Sequence, residues 1–302
     1  MEDVSPKLYK QIRSLFDKAV SSDRTIQRFE NRIRDGTATQ KELNVYAQLL
    51  GRHASKACQT VLIPENLPNE TLYFNIAENI IKPLLLENRA EVVSRASAIH
   101  KRMTAEAGVG LKPVIPPVRK HDIRVSALID ELTADGITAE SVSALLGDPL
   151  ATISAKAVDD FIQANAEQAQ TAGFQPKIIR EYDGVGLHEG KDACEWCLSR
   201  AGEWDYGEAY DNGVFERHSG CGCRTTFVLG EFSQDVWSKA EWQTNNDAAR
   251  SEAIREKQEE LMAGTKRKSR EREAREVFIR EQMNAGKTFN DAWTAYTKAQ
   301  GR

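Results

Sequence analysis

The sequence predicts a mainly α fold with one small α+β unit, an extended helical N-terminal region and a helical C-terminal tail. Three observations lead there. Apolar residues recur every three or four positions through most of the first 170 residues, the period of helices with one buried face. Two short stretches, 176–180 and 224–229, read as strands instead. Four of the five cysteines fall within 194–223, beside those strands.

Taken in order, Ser5-Pro6 is a helix-start signal, a capping side chain followed by a proline in the first turn. Leu8, Ile12, Leu15, Phe16 and Val20 follow at helical spacing, as do Ile26, Phe29 and Ile33, with Gly36 as a stop. Thr39 to Glu42 fits a capping box, and Leu43, Tyr46, Leu49 and Leu50 carry the stripe on to about Leu62, the second arm of an antiparallel helical hairpin. Cys58 lies in that stripe as a small apolar residue. Pro64 and Pro68 bracket a loop. Asn69 opens a long helical pattern through Leu72, Ile76, Ile80, Leu84, Val92, Ala96, Ile99 and Met103, which Pro83 is expected to kink or divide. His100, beside that stripe, reads as a partly exposed helix residue.

The Pro- and Gly-rich residues 108–118 read as an extended connection, either a boundary or a strap over another surface. Helices are expected over about 121–134 and 139–147, with Asp135-Gly136 and Gly147-Asp148-Pro149 as turns. A last helix begins near Ser154, carries Val158, Phe161, Ile162 and Ala166, and stops at Gly173. Asp159, Asp160 and Glu167 on it read as a solvated face. The chain thus divides into a helical region 1–107, the connection 108–118, a second helical region 119–175, a metal-stapled core 176–232 and a tail 233–302.

The chemistry concentrates in 194–224. Cys194-Glu-Trp-Cys197 is followed, after a twenty-residue gap, by His218-Ser-Gly-Cys221-Gly-Cys223-Arg224. Two thiols separated by two residues, facing a later His and Cys, have the spacing of a structural Zn²⁺ site. Cys194, Cys197 and His218 are the expected ligands. The fourth is Cys223 or Cys221: residues two apart in an extended segment share a face, and Cys223, at the start of the strand, is favoured. Trp204, Tyr206, Tyr210 and Phe215 between the pairs suit a small core that the metal staples shut. Disulfides are the competing reading. The opening Met-Glu-Asp-Val has no apolar stretch, so synthesis in a reducing cytosol is expected, which favours metal. A thioredoxin-like site is disfavoured because no βαβ pattern surrounds the CxxC.

At net charge −4, the chain is not a general polyanion binder, so any DNA contact must be local. No apolar run reaches the ~18 residues of a membrane span. Lys266, Arg267, Lys268 and Arg270 form a basic cluster, but Glu271 and Glu273 follow, so a solvated helix competes with a contact to DNA or to another protein. Thr288 to Asp291 starts a short helix with Phe289, Trp293 and Tyr296 on one stripe. That stripe needs cover from the chain's own body or from a partner groove.

From about 155 to 230 the run resembles one known family. It comprises Ala172-Gly173-Phe174, Pro176 to Arg180, Asp192-Ala-Cys194-Glu-Trp-Cys197, Leu198-x-x-Ala201-Gly202, the aromatic gap, and His218-x-x-Cys221-x-Cys223. It is similar to the minor head (minor capsid) proteins of tailed bacteriophages, the Mu F-like head morphogenesis family, over about a quarter of the chain. Relatives close with His-x-Asn-Cys-Arg-Cys. Here Gly220 and Gly222 replace the Asn and Arg, so the ligand types are kept and a basic surface contact is lost. The resemblance implies a structural, non-enzymatic virion protein, made in the host cytoplasm and held inside the capsid near the portal vertex. It further implies a role in head assembly and genome delivery, with the portal protein and the major capsid protein as partners and a possible contact with packaged DNA. The alternatives are a zinc-stapled nucleic-acid-binding protein, a host-encoded zinc-stapled module, or a His-Asn-His-type nuclease. The last is disfavoured because His218 is committed to metal and no later His exists. A zinc deaminase lacks its His-x-Glu and Pro-Cys-x-x-Cys elements.

Overall fold

A computed structural model describes residues 3–182, 195–230, 274 and 277–299. The chain is mainly helical with a small three-stranded antiparallel sheet. It forms two units, 1–232 and 233–302.

In the first unit α1 (Ser5–Ser22), α2 (Arg24–Arg34), α3 (Gln40–Val61) and α4 (Phe74–Glu106) precede α5 (Arg119–Leu132), α6 (Ala139–Leu145) and α7 (Gly147–Thr171). The helix starts have identifiable causes. Val4 stands at the N-cap of α1 without a side-chain cap; just before it Asp3 Oδ1 accepts the Ser5 N–H at 2.9 Å, and Pro6 sits in the first turn. Asp23 breaks the first stripe in two by capping α2 through the Thr25 and Ile26 N–H groups. The Thr39–Glu42 capping box forms as expected. α4 begins at Phe74 rather than Asn69, whose φ of +50° takes it out of the helix. Pro83 does not divide α4, which runs through it to Glu106. α7 starts at Gly147, seven residues before the expected Ser154. Gly147-Asp148-Pro149 is its first turn, where a proline loses no intrahelical hydrogen bond.

α3 and α7 form the centre of the bundle. They cross backbone to backbone at Gly51, where a Cβ would fall 2.6 Å from Leu150 O, so no larger residue fits without separating the helices. Leu43, Leu50, Ala54, Leu84, Val92, Leu150, Val158 and Phe161 are among the residues filling the core around them. Residues 108–118 are extended and lie as a strap on α7: Asn165 both accepts the Val114 N–H (2.8 Å) and donates to its carbonyl (2.9 Å), and Arg89 of α4 donates to Pro116 O. His100 is not partly exposed. It is 2% accessible, stacked on Phe227 and edge-on to Phe161.

The sheet follows α7, with β1 (Lys177–Glu181) between β2 (Gly202–Asp205) and β3 (Arg224–Val228). α8 (Glu195–Leu198) and α9 (Tyr206–Asp211) flank β2. The strand period of two turns Ile178 and Arg180 of β1, and Thr225 and Phe227 of β3, to the buried face. The outer edge of β3 is closed by amide side chains one helical turn apart on α3. Gln40 pairs with the N–H and carbonyl of Phe227, Asn44 with those of Thr225, and Gln48 reaches Gly222 O. Such a ladder satisfies an edge strand that would otherwise offer unpaired backbone groups. Tyr206, Val214, Phe215 and Phe227 join the same core as the helices, so the expected separate aromatic core is not seen.

In the second unit, residues 277–284 are helical and a turn at Gly286 leads to the helix Phe289–Ala299. Thr288 accepts the Asp291 N–H, the expected cap. Tyr296 packs on Phe278 of the preceding helix, ring centroids 5.7 Å apart. The side chains of Phe289 and Trp293, and Lys266, Arg267, Lys268 and Arg270 as a whole, lie outside the described residues.

Candidate metal centre

β3 and the turn before it deliver the site. Cys221 and Cys223 both point inward from the extended segment 221–223, as residues two apart do, and Cys197 enters from the short α8. All three are buried, and their sulfurs lie within 4.8 Å of one another, close enough to hold a metal ion. The Cys197 and Cys221 sulfurs are 3.8 Å apart. Two thiolates on a tetrahedral Zn²⁺, with Zn–S near 2.3 Å, would stand about 3.8 Å apart.

His218 stands beside this cluster and meets it at Cys197. Its Nε2 lies 3.0 Å from the Cys197 sulfur, while its Nδ1 is 2.7 Å from Ser219 O. The carbonyl can only accept, so Nδ1 carries the hydrogen and the Nε2 lone pair faces the sulfurs, the tautomer a metal ligand needs. A bound ion would spread the His218–Cys197 contact to about 3.5 Å, a small ring shift. The three buried sulfurs are close enough to hold a metal ion, and the imidazole stands beside one of them. The sequence treats Cys221 and Cys223 as alternatives, whereas the fold brings both into one cluster. Cys194 lies outside the described residues.

The surroundings are more elaborate than the motif. Gly220 N–H donates to Thr152 of α7 at 3.0 Å, tying the closing turn to the bundle. Arg217, beside His218, is buried against α7 and α3. It donates to both oxygens of Asp159 (Nη2–Oδ1 3.0 Å), to Asn44 Oδ1 at 3.1 Å and to Cys223 O at 2.7 Å. Next to this pair, Asp160 takes Lys156 at 2.9 Å and Arg124 at 2.7 Å. Burial alone would raise the Asp160 carboxyl, but Arg124, Lys156 and Lys120 outweigh it and hold the group well below the usual carboxylate range. The expected solvated face at Asp159 and Asp160 is therefore wrong, since the two are 0% and 5% exposed. Helical periodicity could not separate a buried ionic stripe from an exposed one. The missed signal is the Arg217 placed immediately before His218.

From the other side Arg180 of β1 donates to the carbonyls of Val214 and Glu216 and to the Cys221 sulfur at 3.3 Å. Trp196, between the two cysteines of the CxxC, stands edge-on to His218 and carries the Arg200 guanidinium 4.1 Å over its ring. Hydrogen bonds from Cys197 and Cys223, then the Arg217 and Arg180 charges, draw the Cys221 thiol well below its ordinary range. Sharing hydrogens with Cys221 and Cys223 pushes Cys197 up.

Protein-family models, curated proteins and solved structures contain no match to this chain. Among the described residues no helix is long and apolar enough to cross a membrane.

Proposed function

We propose that this protein is a minor head protein of a tailed bacteriophage, a structural component that works inside the capsid at the portal vertex without catalysing a reaction. The observation that carries the reading is the ordered set Cys197, His218, Cys221 and Cys223. It has the order and spacing of the Mu F-like motif; its three sulfurs lie close together, and His218 stands beside Cys197. In this reading the ion is Zn²⁺. It ties α8 to the closing turn, and the turn is bolted to α7 and α3 through Thr152, Arg217 and Gln48. The staple therefore fixes the sheet on the bundle and makes one rigid platform, whose helices dock on portal and capsid. The basic residues Lys266, Arg267, Lys268 and Arg270 are the proposed contact with packaged DNA.

The test is the protein content of purified heads. The chain is expected to copurify with portal and major capsid protein in few copies, and to be depleted from heads after DNA ejection if it leaves with the genome. A chain absent from assembled heads refutes the reading. Retention in emptied heads would limit the role to assembly.

A further inference from the structure

The Cys221 neighbour Arg180 is 1% exposed, yet no carboxylate among the described residues lies within ion-pair distance of it. Its guanidinium is spent on two backbone carbonyls, one sulfur and the face of Trp196, 5.3 Å from the ring centroid. The nearby carboxylate, Asp159, is already engaged through both oxygens by Arg217. A guanidinium buried without a counter-charge is among the costliest arrangements a fold can hold. The sheet puts it there by register: Arg180 follows Ile178 by two residues and so shares its inward face. Trp196 offers the guanidinium a π face but no charge, so among the described residues the anionic partner that remains is the sulfur cluster itself.

We propose that Arg180 is the buried counter-ion of the metal centre and sets its charge. Three thiolates, a neutral imidazole and a divalent ion carry one net negative charge, which the guanidinium balances. A neutral centre with two thiolates would leave Arg180 unpaired. A four-thiolate centre would exceed it by one charge. Arg180 is thus a positioning residue that favours this ligand set over others the five donors could supply. The inference rests on the reading of the cluster as a metal site.

The experiment measures Zn²⁺ affinity of the full chain by competition with a chelator, alongside the thiolate-to-metal charge-transfer spectrum of the Co²⁺-loaded protein. Arg180→Met is expected to weaken Zn²⁺ binding about 10–100-fold, the usual effect of losing an outer-shell partner. Cys223→His makes the centre neutral at a sulfur that Arg180 does not touch. In that background Arg180→Met is expected to change affinity by no more than about 2-fold. Equal losses in both backgrounds, or no loss in the first, overturn the proposal. A merely structural arginine would lower the stability of the metal-free protein and give those equal losses. If Arg180→Met does not fold, Arg180→Lys against Arg180→Gln carries the test. Lys is expected to bind Zn²⁺ at least about 10-fold tighter, with an unshifted Co²⁺ spectrum, and equal affinities overturn the proposal. An unmutated chain that takes up no metal fails at the first step, which removes the metal reading and the counter-ion role together.

Discussion

Removing the carboxylate of Asp159 is the most informative single perturbation of the fold. Asp159 and Arg217 are 0% and 1% exposed at their side chains, and their pairing joins α7 to the turn that carries His218. In Asp159→Ala, Arg217 keeps Asn44 and the Cys223 carbonyl but loses two charge-assisted hydrogen bonds and its only ion-pair partner among the described residues. Breaking a buried pair from one side costs about 3–5 kcal/mol, because the remaining charge stays desolvated. Against a total of about 5–15 kcal/mol for a domain, that is a large fraction. With a urea slope near 3 kcal/mol/M, it lowers the midpoint by about 1–2 M. The assay is urea unfolding of the metal-loaded protein followed by far-ultraviolet circular dichroism. The double variant Asp159→Leu/Arg217→Met should recover most of the loss, since an apolar pair of similar volume is often neutral or stabilising. A loss below about 1 kcal/mol in Asp159→Ala would refute the reasoning, because Arg217 would then have found water and the junction would be open.

Two further predictions concern groups away from the metal. His121 is 1% exposed and donates from Nε2 to the Leu85 carbonyl at 3.1 Å; burial, then Arg124, draws its pKa down to about 4. It is neutral in the fold and protonates more readily unfolded, so its stabilisation is complete above about pH 6.5 and is lost as pH falls to about 4. The loss is about 3 kcal/mol, and a His121→Leu variant should show a correspondingly flatter stability profile between those limits in urea melts. Cys58 is fully buried in α3 and burial pushes its thiol up to about 12, so in native protein at about pH 8 it should resist an aromatic disulfide reagent and react only in denaturant. Rapid native labelling of Cys58 would mean that the α3 core opens.

The helices and both principal strands were legible because each has one buried face, and periodicity reports that directly. Gly36, Gly173 and the Thr39–Glu42 box also declared their ends, since caps and left-handed glycines act locally. The misreadings share one physical origin. Asp159, Asp160 and His100 are polar residues at buried helix positions, and their partners, Arg217, Lys156 and the rings of Phe161 and Phe227, come from distant stretches of chain. Nothing local distinguishes them from a solvated face. Spacing pointed to the three cysteines that the fold gathers, Cys197, Cys221 and Cys223. That Cys221 and Cys223 enter together, flanked by two buried arginines, depends on how β1 and β3 lie side by side. The α3 amide ladder is likewise invisible until Gln40, Asn44 and Gln48 meet the edge of β3.

The account turns on the metal. Elemental analysis of protein purified without added metal, paired with thiol counting before and after chelation, tests it most directly. The prediction is a single zinc ion per chain, protected cysteines, and release of both zinc and the 195–230 thiols by chelator, with loss of order in that segment. Protein that holds no metal, and whose cysteines are paired with one another or freely reactive from the start, would contradict the staple and remove the observation on which the proposed function stands.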